Sequence, residues 1–168
     1  MPGSYELYLI RHGIAEDRGE AWPDDTMRPL TDEGISSLRR SARSLARLGV
    51  TFDVVLTSPL VRARQTAEVV AAAFDPRPTV ATAESLAPGG GYQAMLDDLA
   101  KHSRRSRIAL VGHEPGIGQL AARLAGVRQP IEFKKGAVAR IDVDVLPPDG
   151  PGSLRWFVTP KILRSLRR

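Results

Sequence analysis

Short runs of apolar residues recur along the chain and predict buried β-strands. The runs at residues 5–10 and 108–111 are nearly continuous, which is typical of strands covered on both faces. Similar short runs predict further strands over residues 52–56 and 79–82. The segment 139–145 differs, because its apolar residues alternate with charged ones. Together with a returning strand at 154–158, it predicts an antiparallel pair at the edge of a sheet with one face in water.

Segments with helical spacing of apolar residues lie between these strands. The clearest begins after Thr31, a hydroxyl N-cap that is followed by two acidic residues suited to the positive end of the helix dipole. Its apolar residues step by three and four until Gly49 ends the helix. Residues 14–30 predict a polar loop, and the glycine-rich residues 87–91 predict a flexible one. Weaker helical patterns cover residues 58–74, 92–101 and 116–126.

Alternation of strands and helices predicts an α/β fold, a three-layer α/β/α sandwich. The central sheet should be mostly parallel, with an antiparallel edge and helices on both faces. The chain carries no internal repeat and no linker that would divide it, so a single domain over residues 1–168 is expected. Residues 160–168 predict a basic tail or a short helix.

Composition narrows the classes of protein that fit. A chain of 168 residues with 42% hydrophobic and 26% charged residues is typical of a soluble globular protein. The absence of cysteine excludes thiolate nucleophiles, disulfides and cysteine-ligated zinc. The first apolar run is too short and too charged for a signal peptide or a membrane span, which favours a cytoplasmic protein without a membrane partner.

Arginine gives the chain a formal net charge of +5, which attracts anions. Much of this charge lies on the predicted helix after Thr31 and at the C-terminus. Because aromatic residues make up only 5% of the chain, stacking surfaces for nucleic acid are scarce, and no nucleic-acid partner is expected.

Three polar clusters follow the predicted parallel strands. They are the triplet 11–13, the segment from Ser58 to Arg62, and His113. In open α/β sheets ligands bind outside the carboxyl ends of the strands, so we expect these clusters to meet there. Ser58 also predicts an N-cap with Pro59 in the first helical turn, which would place Arg62 beside free backbone N–H groups.

The residue types in these clusters favour chemistry on phosphate. Arg11 and Arg62 offer planar forks of donors that match phosphate oxygens. A neutral imidazole can attack phosphorus, and a second imidazole can stabilise the charge that develops. Singly, each residue also has an ordinary structural explanation, such as a capping histidine or a surface arginine. A metal site is disfavoured, because the arginines oppose a cation and only Glu114 could complete the ligands.

Four motifs occur in order: Leu-Ile-Arg-His-Gly at 9–13, Arg-Pro-Leu-Thr-Asp-Glu-Gly at 28–34, Ser-Pro with Arg-Ala and Gln-Thr-Ala within 58–67, and Val-Gly-His-Glu-Pro at 111–115. This set resembles the histidine phosphatase superfamily, with its phosphoglycerate-mutase-like fold. It is most similar to the compact SixA-type phosphohistidine phosphatases. The resemblance implies that His12 is the nucleophile, that hydrolysis passes through a covalent phosphohistidine, and that no metal or organic cofactor is needed. It implies a phosphate pocket made by Arg11, Gly13, Arg62 and His113.

The proton donor is where the chain departs from the family pattern. Larger relatives supply a carboxylic acid after the third strand, often within a helical insertion over the site. Residues 83–91 leave no room for such a lid, and Glu84 is the candidate by position. Asp25 and Glu114 are weaker alternatives.

The missing lid and the uncertain acid bear on the substrate. An alkoxide leaving group needs a general acid, whereas the imidazole of a phosphohistidine departs more easily. The sequence therefore predicts a metal-independent phosphatase that acts on phosphohistidine in a phosphorelay or phosphocarrier protein. The alternatives are a phosphomonoesterase for small phosphate esters and a module that binds phosphorylated ligands without turnover.

Overall fold

A computed structural model describes residues 5–166 of the chain. The six strands are β1 (Tyr5–Arg11), β2 (Val54–Thr57), β3 (Thr79–Thr82), β4 (Arg107–Gly112), β5 (Val138–Val143) and β6 (Ser153–Val158). The five helices are α1 (Asp32–Arg47), α2 (Val61–Ala71), α3 (Tyr92–Ala100), α4 (Gly116–Ala125) and α5 (Pro160–Ser165). Two short 3-10 helices cover Asp25–Met27 and Glu84–Leu86.

All six strands form one sheet in the order β3-β2-β4-β1-β5-β6. The pairs β2–β3, β2–β4 and β1–β4 are parallel, while β5 and β6 are antiparallel to their neighbours. The predicted α/β class is confirmed, with a mostly parallel centre and an antiparallel edge. Between β3 and β4 lie only the second 3-10 helix and α3, so no insertion covers this end of the sheet.

Strand β1 shows why both faces of the sheet are covered. Leu7 and Leu9 pack in one apolar core with residues of α3 and α4. Tyr8 and Ile10 point the other way, into a second core with residues of α1, α2 and α5. Because successive strand residues face opposite sides, a continuous apolar run is what a doubly covered strand requires.

Helix α1 begins as its sequence predicts. The Thr31 hydroxyl accepts a hydrogen bond from the Gly34 N–H at 2.9 Å, and the acidic Asp32 and Glu33 occupy the first turn. The chain leaves the helix through Gly49, whose φ of +81° is readily adopted by glycine.

The predicted start of the second helix is wrong. Helix α2 begins at Val61 with Leu60 as its N-cap residue, and it ends at Ala71 rather than near residue 74. Ser58 does not cap it. The Ser58 backbone N–H donates to the Val111 carbonyl at 3.0 Å, so sheet pairing continues past β2 and delays the helix.

The water-facing side predicted for the 139–145 strand is only partly present. Asp144 is exposed and Arg140 is half-buried, whereas Asp142 on β5 is only 4% exposed, and its carboxylate accepts hydrogen bonds from Arg140 and Arg155. Strand β5 lies between β1 and β6, so β6 alone forms that edge of the sheet.

The C-terminal segment forms the short helix α5, which packs against helix α1. Leu163 is fully buried, and Arg164 Nη1 donates to the Ser37 hydroxyl at 2.6 Å. Residues 167 and 168 of the predicted tail lie outside the described residues. Over residues 5–166, none of the helices has the length and apolar character needed to cross a membrane.

Candidate active site

The sheet order brings the predicted pocket residues to one edge. Strand β4 lies between β1 and β2, so His12 and His113 follow adjacent parallel strands. Their ring centroids are 5.1 Å apart. Arg62 lies in the first turn of α2, as predicted. These three side chains are buried, whereas Arg11 is half-buried.

The environment of His12 fixes both its tautomer and its charge. Nδ1 lies 2.7 Å from the Gly13 carbonyl oxygen. A carbonyl can only accept, so Nδ1 carries the proton and Nε2 keeps its lone pair. Burial lowers the pKa of His12 to about 3, and the nearby His113 and Arg62 act in the same direction. His12 is therefore neutral at physiological pH, with Nε2 available as a nucleophile.

His113 is held from its other ring nitrogen. Nε2 lies 2.8 Å from the Ser58 hydroxyl, which also accepts the Leu60 N–H at 3.2 Å. Nδ1 is buried and has no hydrogen-bond partner among the residues that the structure describes. Burial, followed by the charge of Arg62, lowers the pKa of His113 to about 4.

Both arginines are anchored through terminal nitrogens, and within residues 5–166 neither Nε has a hydrogen-bond partner. Arg62 Nη1 donates to the backbone carbonyl of Asp25 at 2.8 Å, and Nη2 lies 3.1 Å from its carboxylate. Arg11 Nη1 donates to the Phe133 carbonyl at 2.8 Å. Burial lowers the pKa of each guanidinium from its ordinary value.

Unpartnered buried polar atoms concentrate in this pocket. Within residues 5–166, four buried side-chain nitrogen or oxygen atoms lack a partner, and three are Arg11 Nε, Arg62 Nε and His113 Nδ1. The fourth is Ser41 Oγ, on α1. Buried polar groups are normally hydrogen-bonded, so three such nitrogens in one site suit a ligand with several acceptor oxygens. A phosphate group meets that requirement.

Gly13 supports the pocket through its backbone. Its N–H donates to the Thr66 hydroxyl at 3.1 Å, and that hydroxyl donates to the Arg62 carbonyl at 2.7 Å. A Cβ at this position would lie 2.6 Å from a Leu38 methyl carbon, so the Leu38 side chain would have to shift to admit one. The Gly13 N–H is bonded to Thr66, and its carbonyl is bonded to His12. The backbone of Gly13 therefore has no free donor for the predicted contact with substrate.

The three candidate proton donors occupy different positions. Glu84 begins the second 3-10 helix, is exposed, and makes no hydrogen bond or ion pair with the predicted pocket residues. Glu114 Oε1 accepts the Gly118 N–H at 2.8 Å, so this carboxylate caps the start of α4. Hydrogen bonding from Arg28 lowers the pKa of Asp25, which keeps it ionised at neutral pH. The role of Glu84 stays a prediction.

Sequence reasoning did not assign roles to Ser58, Asp25 and Arg28 in holding the pocket. Arg28 is only 7% exposed, and its Nε donates to Asp25 Oδ1 at 2.8 Å while Nη1 donates to the Glu16 carbonyl at 2.7 Å. The one available signal was that Arg28 opens the second family-like motif. The loop conformation that joins it to Asp25 has no periodicity from which to predict it.

A cleft of about 450 Å³ adjoins the pocket beside His113. The glycine-rich loop 87–91 forms one wall, and Arg123 stacks on the Tyr92 ring at 3.9 Å. Its volume is in the range of sites that hold more than a phosphate group. Apolar lining comes from Leu86, Met95, Ile117 and Leu120.

Ligands for a metal are not gathered in the described ranges. No group of three or more His, Asp or Glu side chains within residues 5–166 is arranged to hold an ion. The pocket instead combines cationic guanidinium groups with neutral imidazoles, which suits an anion.

A neutral imidazole with an unprotonated Nε2, beside cationic guanidinium groups at the carboxyl edge of an α/β sheet, suits an enzyme that acts on phosphate groups. Residues 7–87 match the model of the histidine phosphatase superfamily (branch 1). The chain belongs to this superfamily and is a phosphatase.

Relatives place it near the phosphohistidine phosphatases of that superfamily. Phosphohistidine phosphatase SixA of Escherichia coli is 29% identical over 165 residues, covering 96% of this chain and 98% of its own. An uncharacterised protein of Picosynechococcus sp. is 44% identical over 123 residues, covering 71% and 73% respectively. The solved structure of the protein histidine phosphatase SixA complexed with tungstate superposes with a TM-score of 0.83 at 28% identity. That match covers 94% of this chain and 99% of the solved one.

Proposed function

We propose that this phosphatase is metal-independent and removes the phosphoryl group from phosphohistidine on a protein, with His12 Nε2 as the nucleophile. The observation that carries the proposal is the contact between His12 Nδ1 and the Gly13 carbonyl. It leaves Nε2 unprotonated in a pocket where Arg11 Nε, Arg62 Nε and His113 Nδ1 are buried without a partner among residues 5–166.

The reaction proceeds in two displacements. In the first, the Nε2 lone pair of His12 bonds to phosphorus while the P–N bond to the substrate imidazole breaks, and the leaving imidazole takes that electron pair. The His12 ring becomes cationic, and the Gly13 carbonyl stabilises its Nδ1–H. Arg11, Arg62 and His113 donate to the phosphoryl oxygens as charge shifts between them.

In the second displacement, water attacks the phosphorus of the phosphorylated His12. The P–N bond to His12 breaks and returns its electron pair to Nε2, while one proton of the attacking water passes to a phosphoryl oxygen and inorganic phosphate leaves as dihydrogen phosphate. Dividing the transfer into two steps is the usual advantage of covalent catalysis.

The leaving group and the open cleft support a protein substrate. A phosphohistidine ring protonated on its second nitrogen leaves as neutral imidazole, so the first step needs no strong general acid. This fits a pocket in which Glu84 makes no hydrogen bond or ion pair with the other predicted site residues. The cleft beside His113 has room for chain around the phosphorylated residue. The relatives named as phosphohistidine phosphatases favour the same substrate class.

Substrate class is tested by comparing kcat/KM on a phosphohistidine protein with kcat/KM on a panel of sugar and nucleotide phosphates. We expect the phosphoprotein to be the better substrate. The cleft is also large enough for a small molecule, and a clear preference for one small ester would establish a phosphomonoesterase instead.

The nucleophile is tested with His12→Ala. Without Nε2 the covalent path is lost, so turnover of an aryl phosphate should fall by at least about 1,000-fold. His102→Ala is the matched control, because His102 lies after α3, outside the pocket, and its replacement should leave turnover unchanged. Wild-type protein quenched in alkali during turnover should carry phosphate on His12 by mass mapping. Phosphate on another residue, or an active His12→Ala variant, contradicts the assignment.

A further inference from the structure

The loop between β1 and α1 places Asp25 against Arg62. We infer that Asp25 is a positioning residue that holds the Arg62 guanidinium in its phosphate-binding orientation. The inference rests on the proposed phosphate pocket and adds to it a residue beyond its two arginines and two histidines.

Asp25 engages both terminal nitrogens of Arg62. Its backbone carbonyl accepts from Nη1 at 2.8 Å, and its carboxylate Oδ2 lies 3.1 Å from Nη2. A guanidinium is planar, so two contacts on its terminal nitrogens fix the plane and the direction of Nε. Arg62 Nε is buried and has no partner. The geometry thus leaves one donor of a fully oriented cation free for an anion.

The carboxylate of Asp25 is shared with a second buried arginine. Oδ1 accepts from Arg28 Nε at 2.8 Å, and Arg28 Nη1 donates to the Glu16 carbonyl. Asp25 therefore connects Glu16, near the start of the loop, to helix α2 through its contacts with Arg28 and Arg62. Rotation of its side chain away from Arg62 would also break its contact with Arg28.

The exposed fractions of the Asp25 and Arg62 side chains favour a positioning role for Asp25 over a catalytic one. The Asp25 side chain is 44% exposed, whereas that of Arg62 is 3% exposed. The carboxylate thus has more contact with solvent than the guanidinium it holds. An anionic carboxylate would also repel a phosphate, so direct contact with the substrate is unfavourable.

A substitution of Asp25 affects phosphate binding in opposite directions, depending on whether Asp25 acts only through its charge or by orienting Arg62. Asp25→Asn removes a negative charge near the pocket, which by charge alone would tighten the binding of an anion. The same change replaces one acceptor oxygen with an NH2 group that faces a guanidinium donor. If Asp25 positions Arg62, phosphate binding weakens despite the gain in net positive charge.

The test measures the binding of inorganic phosphate to the full-length protein by calorimetry. We expect Asp25→Asn to raise the dissociation constant roughly tenfold, the effect of losing one charge-assisted hydrogen bond. Asp24→Asn is the matched control. Asp24 is the neighbouring carboxylate, it caps the same 3-10 helix through Thr26, and asparagine can cap equally well. It should change the constant by less than about twofold. Unchanged or tighter binding in folded Asp25→Asn would overturn the inference.

A double-mutant cycle shows whether Asp25 acts through Arg62. In an Arg62→Ala background, Asp25→Asn should change kcat/KM on an aryl phosphate by less than about twofold, because the group that it positions is gone. An undiminished effect in that background would show that Asp25 acts independently and would also overturn the inference. Circular dichroism confirms that each variant is folded. Phosphate binding reports on the pocket whichever phosphorylated substrate the enzyme prefers, so this test can fail separately from the proposed function.

Discussion

At His12 a neighbouring carbonyl oxygen determines which ring nitrogen carries the proton. The Gly13 carbonyl binds Nδ1, and this contact by itself would raise the pKa of the ring. Burial outweighs it and lowers the pKa to about 3. The ring thus combines a fixed orientation with a free lone pair, which are the two requirements of a nitrogen nucleophile.

The depressed pKa values of His12 and His113 predict how stability depends on pH. Both lie below the ordinary value of 6.5, at about 3 and about 4. Between pH 6 and 5 the unfolded chain binds protons that the folded chain does not, so stability falls as pH falls. Each histidine should contribute about 1.4 kcal/mol per pH unit to that slope.

Urea unfolding at pH 6.0, 5.5 and 5.0 in a phosphate-free buffer measures this dependence. His12→Asn removes one of the two groups and should make the slope shallower by roughly half of the histidine contribution. An identical slope in wild type and variant would contradict the assignment of a depressed pKa to His12.

Residue identities in the pocket could be predicted, but several hydrogen bonds could not. His12 and His113 follow apolar strands, so their meeting at one edge follows from the parallel order of the sheet. Asp25 reaches Arg62 across 37 positions of sequence, through a loop without regular structure. Nothing in local pattern or propensity encodes such a contact.

Among the elements, α1 depends on close packing against the loop that follows His12. A Cβ on Gly34 would lie 2.2 Å from the Ile14 carbonyl oxygen. Because that atom is backbone, the helix or the loop must move to make room for a side chain. The Thr31 cap could be predicted from sequence, whereas this close approach could not.

Gly34→Ala should therefore destabilise the protein by roughly 1–3 kcal/mol, although alanine is the better helix former. Gly116→Ala is the matched control in the first turn of α4, where a Cβ would meet nothing within 4 Å. It should change stability by no more than about 0.5 kcal/mol. Thermal unfolding of both variants provides the comparison, and equal losses would show that the Gly34 contact is easily relieved.

Helix α2 shows how an element boundary can be predicted wrongly. Ser-Pro is a common helix start, and that local signal was outweighed by the pairing of Ser58 with Val111 in the sheet. The Ser58 hydroxyl lies 2.8 Å from His113 Nε2. Because the backbone of Ser58 pairs in the sheet, its side chain contacts His113 and does not cap α2.

At the scale of the whole molecule, different polar groups lie at the two ends of the sheet. The proposed phosphate pocket lies at the carboxyl ends of the parallel strands. Asp142 pairs in register with Glu6, near the opposite end of β1, and joins Arg140 and Arg155 in a network of ion pairs. Hydrogen bonds from both arginines outweigh the effect of burial and lower the pKa of Asp142.

Asp142→Ala should lower the free energy of unfolding by about 2 kcal/mol, because it removes the buried carboxylate shared by the half-buried Arg140 and the exposed Arg155. The kcat/KM on an aryl phosphate should not change well below the melting temperature. Asp144→Ala, at an exposed position two residues further on, should alter stability by less than about 0.5 kcal/mol. Loss of activity in folded Asp142→Ala would show that the two ends of the sheet are coupled.

The central position of β4 has a consequence for folding kinetics. Strand β1 ends at Arg11 and pairs with β4, which begins at Arg107, so about a hundred residues must close into a loop before this pair forms. Both histidines of the pocket depend on that closure. During refolding, helix signals should therefore appear before the ability to bind phosphate, which makes phosphate binding a marker of completed topology.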